Sequence, residues 1–148
     1  MHKKGFTLAE ILVALGIVGV IASLTLPVVV KNIQRQTNES RLEVSVMNLE
    51  NALTSMLTHE SVVDLTETES WQKKTFIDDL ENYIQISILN NTTFQMKNGT
   101  RVEFPENLEE DMQITIDVNG NDGPNTENYD VFYYTVKTSG LLEKSKNK

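Results

Sequence analysis

Apolar and polar residues follow one another along this chain in three regimes, and each regime predicts a different kind of element. The first is a run without charge, Ile11 to Val30, preceded by the short stretch His2-Lys3-Lys4-Gly5-Phe6-Thr7-Leu8-Ala9-Glu10. About 20 apolar residues at 1.5 Å rise suffice for a helix to cross the hydrocarbon core of a bilayer, so this run can span one. Lys3 and Lys4 precede it and only Lys31 and Arg35 follow closely, a bias that mildly favours the amino end inside the cell. Beyond Pro27 the pattern turns periodic. Leu42, Val46, Leu49, Leu53 and Met56 recur at spacings of four and three, one stripe of an amphipathic helix, with Arg41, Glu43, Asn48 and Glu50 off it. The two regimes together predict one helix from about Thr7 to His59. Pro27 should kink or loosen it, because proline removes a helix hydrogen bond and clashes with the preceding turn; two helices broken at Pro27 are the alternative.

The stretch from His59 to Gln72 is acidic and without clear period, and reads as a loop pinned by Trp71. Thr75 with Asp78 three residues on is a variant capping box ahead of Phe76, Leu80 and Tyr83, which predicts a short second helix. From Gln85 the period falls to two. Ile86 and Ile88, Phe94 and Met96, Val102 and Phe104, then Met112 to Val118 and Asp130 to Val136 alternate with polar neighbours. Asn98-Gly99 between two such runs signals a hairpin whose turn residues both take positive φ. The expected fold is α+β: a long N-terminal helix, a short second helix and an antiparallel sheet of about four to five strands packed on the amphipathic stripe. The expected division is a leader at 1–5, a membrane-spanning half-helix at 6–30, an extracytoplasmic domain at 31–140 and a flexible tail at 141–148.

Charge and composition narrow this picture. The chain has 148 residues and a formal net charge of -8, and loss of Lys3 and Lys4 would leave 11 basic against 21 acidic residues. Such a surface repels phosphate backbones, which disfavours direct nucleic-acid binding and suits a cation or a basic partner. There is no cysteine, so an exported domain of this size is held by its core, a bound ion or its neighbours rather than by disulfides. His59 is the only histidine outside the leader, and no Gly-rich phosphate loop or zinc-spaced cluster occurs; the chain is expected not to be an enzyme.

Glu10 stands out, because an ionisable residue in a spanning segment is costly and is suspected of function. Position alone leaves open whether it merely sits at headgroup level. The stretch Lys3-Lys4-Gly5-Phe6-Thr7-Leu8-Ala9-Glu10 closely resembles the class III signal of type IV pilins and type II secretion pseudopilins. That resemblance implies cleavage between Gly5 and Phe6 by prepilin peptidase on the cytoplasmic face, with N-methylation of Phe6. It further implies retention of the apolar helix, a kink at Pro27, and assembly with other pilin or pseudopilin subunits through an inner-membrane platform. In that assembly Glu10 would pair with the amino group of a neighbouring subunit's Phe6. It implies a single-pass protein of the bacterial inner membrane with its C-terminal domain extracytoplasmic, active in type II secretion (protein transport) or in a type IV pilus. The resemblance covers only the first thirty residues.

A second chemical feature is Asp117-Val118-Asn119-Gly120-Asn121-Asp122-Gly123-Pro124-Asn125, continuing to Asp130. Alternating Asp and Asn oxygens in a Gly-punctuated turn can supply the oxygen ligands of Ca²⁺. It is no EF-hand, since glycines hold the fourth and seventh places and Asn128 stands where a bidentate Glu would be. The same residue types also make any tight turn. The loop is similar to the C-terminal loop of short pseudopilin-like proteins, and that similarity implies ligands at Asp117, Asn119 and Asp130, with Asn125 and Asp122 next. Three functional classes follow: a filament subunit, a membrane-anchored cation-binding or partner-binding module that does not assemble, and a secreted soluble protein cut after Val20-Ile21-Ala22. Glu10 inside the apolar segment weighs against the third.

Overall fold

The computed structural model describes residues 5–120 and 122–145; most of the expected leader, and the last three residues of the expected tail, lie outside the described residues. The chain divides into two units, Met1–Thr37 and Asn38–Lys148, with a single helix, α1 (Leu8–Glu60), beginning in the first and ending in the second. From Ile11 to Val30 α1 is uncharged on every side and exposed almost throughout, which is the surface of a helix that a membrane or a helix bundle covers. By length and composition it can cross a membrane. The helical conformation continues through Pro27, so the alternative of two separate helices is not what forms. Pro27 has no N–H to give the Ser23 carbonyl. Nearby, Ser23 Oγ donates to Val20 O at 2.8 Å and Thr25 Oγ1 to Ile21 O at 3.0 Å, two back-bonds of the kind that bend helices.

The second unit holds the remaining elements: a 3₁₀ turn (Leu65–Glu67), α2 (Glu69–Lys73), α3 (Phe76–Leu80) and strands β1 (Ile86–Ile88), β2 (Thr93–Met96), β3 (Arg101–Glu103), β4 (Met112–Asp117), β5 (Val131–Val136) and β6 (Leu142–Lys144). All strands pair antiparallel in sequence order, a six-stranded meander. Alternation decides which face is buried. Met112, Ile114 and Ile116 of β4 point into the core and pair across to β5, as Ile114↔Tyr134 and Ile116↔Phe132. The α1 stripe supplies the other side of the core: Leu42, Leu49, Ala52, Leu53, Met56 and Leu57 are buried in one cluster with Phe94, Val102, Phe104 and the β4 residues. Val46, expected on the stripe, is only half-buried, and Ser45 takes the buried place beside it.

Polar bonds set how α1 lies on the sheet. Ser45 Oγ, fully buried, donates to Thr100 Oγ1 and accepts from Asn98 Nδ2, both at 2.9 Å. Asn38 Nδ2 donates to Tyr129 O at 3.0 Å, and Glu50 Oε1 accepts the Leu142 N–H at 2.8 Å. Gly140, at φ +83°, lets the β5–β6 turn press on α1, because a Cβ there would stand 3.3 Å from Leu53 Cβ.

Four local expectations are corrected. The polar stretch before Gln72 is not a bare loop, since Asp64 and Thr68 cap the 3₁₀ turn and α2, each accepting a backbone N–H of its own element. Thr75 does not cap α3 with its side chain; Thr75 Oγ1 instead donates to Asp79 Oδ2 at 2.7 Å, four residues on rather than three. Between β2 and β3 the Met96 N–H donates to Thr100 O at 2.8 Å and closes a three-residue Lys97-Asn98-Gly99 loop in which only Gly99 has positive φ, +91°, because a loop of that length needs the left-handed conformation at its last residue alone. Leu142–Lys144, placed in the tail by sequence, forms a sixth strand, because Glu50 and β5 give its backbone groups partners.

Candidate functional site

Two places carry the residues singled out by sequence, one in each unit. At the start of α1, Phe6 is exposed and Gly5 meets nothing within 4 Å of a built Cβ, so the Gly5-Phe6 bond lies in open chain ahead of the helix. Glu10 already has a partner within its own chain. Glu10 Oε2 accepts from the Thr7 N–H at 2.7 Å and from Thr7 Oγ1 at 2.8 Å, and the Glu10 N–H donates back to Thr7 Oγ1 at 3.3 Å. This is a reciprocal capping box, Thr7-x-x-Glu10, that satisfies orphan N–H groups of the first turn. Sequence reasoning passed over it, although the Thr-x-x-Glu spacing before an apolar run was the signal.

The second place is the β4–β5 connection. Asp117 Oδ1 accepts the N–H groups of Asn119 at 3.2 Å and Gly120 at 3.0 Å, which turns the chain sharply after β4. Asp130, fully buried, is the hub: its carboxylate accepts from Asn125 N at 2.9 Å, from the Thr126 N–H and from Asn119 Nδ2 at 3.1 Å. Asn119 Nδ2 also faces Gly123 O at 3.3 Å, so the amide nitrogen is placed by two acceptors. The Asn119 Oδ1 atom on the other side is buried and has no hydrogen-bond partner among the described residues. Of the five expected ligands, the structure thus joins Asp117, Asn119, Asn125 and Asp130 in one network, Asn125 through its backbone. Asp122 is exposed and, among the described residues, enters only through its N–H to Asn119 O at 3.3 Å; the neighbouring Asn121 lies outside them.

The electrostatics of this loop disfavour the Asp117 charge. Burial pushes the Asp117 carboxyl above the usual carboxylate range; the Asn119 and Gly120 N–H groups pull it back, Asp130 adds to the rise, and the Arg101 charge across the β3–β4 ladder opposes it. Among the described residues no group of three or more His, Cys, Asp or Glu stands ready to hold a metal, so any cation here would rely on amide and carbonyl oxygens as well as the two carboxylates.

Residues 1–26 match the family model for the prokaryotic N-terminal methylation motif. The N-terminus is a class III, pilin-like signal. The methylation motif covers the expected leader, Gly5, Phe6, Glu10 and most of the apolar run, and it marks a structural rather than an enzymatic class of precursor. No curated protein and no solved structure gives a match to the chain.

Proposed function

We propose that this protein is a pilin-like or pseudopilin subunit that prepilin peptidase cuts after Gly5 and methylates at Phe6. The mature chain is held in the inner membrane by the first half of α1 and is assembled through that helix by a membrane platform into a pilus or pseudopilus. The observation that carries the reading is the methylation motif set directly on a helix start whose uncharged segment, Ile11 to Val30, follows Glu10. In assembly Glu10 exchanges its Thr7 partners for the amino group of a neighbouring subunit's Phe6, and a kink at Pro27 adjusts how the helices bundle. The mature N-terminus of protein purified from its host tests the cleavage: methylated Phe6 is expected, whereas Ser23 would show a signal-peptidase product and Met1 an unprocessed anchor. Glu10→Val tests assembly separately. Filaments that take up the variant as readily as wild type would remove the charge-pairing role.

A second property is supported by the β4–β5 loop: we infer that it binds Ca²⁺ through Asp117, Asn119 and the neighbouring carbonyls. The buried Asn119 Oδ1, without a partner among the described residues, and the destabilised charge on Asp117 favour it. The three N–H donors already on Asp130 limit that residue to a shared role. For full-length protein in detergent, a melting temperature higher in millimolar Ca²⁺ than in chelator is expected, and superimposable curves would end the inference.

A further inference from the structure

A cleft of about 350 Å³ opens in the second unit where the α2–α3 junction meets the β1–β2 turn and the segment following β3, within the range of roughly 300–1,000 Å³ usual for ligand sites. Its frame is rigid. Phe76, buried at its base, stands in a row of rings, Trp71, Phe76, Phe104 and Phe94, with successive centroids 5.7, 5.8 and 5.9 Å apart. The Phe104 N–H donates to Thr92 O at 2.8 Å and the Thr75 N–H to Ser70 O at 3.0 Å, so the segments around it are tied by backbone bonds. Trp71, Pro105 and Leu108 line it and are half-buried, so the indole and the pyrrolidine ring keep part of their apolar surface exposed there. Around them Lys74, Asp78, Asn91, Glu106 and Asn107 are exposed, and their side-chain polar groups have no protein partner among the described residues; neither has the Trp71 indole N–H.

We propose that this cleft binds a short pyranose oligosaccharide. A pyranose ring presents C–H groups on its faces and hydroxyls around its edge, and it is met by exposed apolar ring surface, such as an indole, beside carboxylates and amides that bridge adjacent hydroxyls. The cleft offers both. Two carboxylates against one ammonium repel a phosphate, and the shallow, polar rim does not suit a wholly apolar ligand. The site shares no residue with the methylation motif or the β4–β5 loop, so it stands whether or not the chain assembles.

Trp71 is the only tryptophan of the chain, so indole emission reports on this cleft alone. Full-length protein, in a detergent without a sugar headgroup, is titrated with chitotriose, with cellotriose and with a lysine tripeptide. A saturable change in emission with at least one of the two saccharides is expected in the millimolar range or below. Asp78→Asn with Glu106→Gln, near-isosteric changes, should weaken it by about tenfold or more, while Lys97→Ala, on the β2–β3 turn, should leave it unchanged. No saturable response to either saccharide, an equal response from the double variant, or a response to the tripeptide alone overturns the proposal, the last in favour of a basic peptide.

Discussion

Asp130 is where a single side chain does most to fix local structure. Its fully buried carboxylate is the common acceptor for the Asn119 amide, which also reaches Gly123 O, and for the Asn125 and Thr126 N–H groups, two donors that would otherwise lose their acceptor as the chain returns to β5. Asp130→Ala should therefore cost about 3 kcal/mol or more of stability, read as a lowered midpoint in urea; a loss within experimental error would mean that water replaces the carboxylate at no cost. Asp117 has the opposite sign. Because burial raises its native pKa above the unfolded value, its ionised form works against the fold at pH above that raised pKa, and this penalty disappears below the unfolded carboxylate range. Asn at this position keeps an oxygen for the Asn119 and Gly120 N–H groups without the charge. In chelator, Asp117→Asn should melt higher than wild type at pH 7 and by a smaller margin at pH 3. A lower melting temperature at pH 7 would show that the carboxylate charge is needed by the loop even without a cation. These residues were readable as a ligand pattern, but not the direction of their hydrogen bonds, which depends on where the loop folds back on itself.

At the scale of elements, α1 and the sheet are joined by a stripe legible in the sequence and by polar bonds that were not. Leu49 and Leu53 sit at the centre of the core, fully buried, as their spacing required. Leu49→Ala should cost about 2–5 kcal/mol, measured by chemical unfolding of the full-length protein. Gly120 tests a contact between two turns far apart in sequence. A Cβ there would stand 2.8 Å from the Gly99 carbonyl oxygen, and its φ of +65° is already costly for other residues. Gly120→Ala should destabilise by about 1–2 kcal/mol, and a neutral outcome would mean that the two turns separate freely. The Ser45, Asn98 and Thr100 bonds had no periodic signature, because a serine on an apolar stripe looks like an interruption until its partners on the β2–β3 turn arrive. The short caps at Asp64 and Thr68 were also legible in principle, but the elements they start are only three and five residues long, below what periodicity detects.

For the whole molecule, the proposed orientation has a direct test because the chain has no cysteine. Ser87, exposed on the edge strand β1, can be changed to Cys as a unique label site. In spheroplasts a membrane-impermeant maleimide should label Ser87→Cys without permeabilisation; labelling only after lysis would place the domain in the cytoplasm and sink the proposed topology.

The sequence by itself determined the uncharged helical run, the methylation motif, the amphipathic stripe and the antiparallel alternation, because each depends on residues near one another in the chain and on a period of 3.6 or two. Tertiary structure alone decided that Leu142–Lys144 forms a strand, that Asp130 rather than Asp122 anchors the β4–β5 loop, and that Trp71 walls a polar cleft instead of only pinning a loop. Those outcomes depend on which groups distant in sequence meet, and a buried donor or acceptor takes its partner from whatever the folded chain brings within reach.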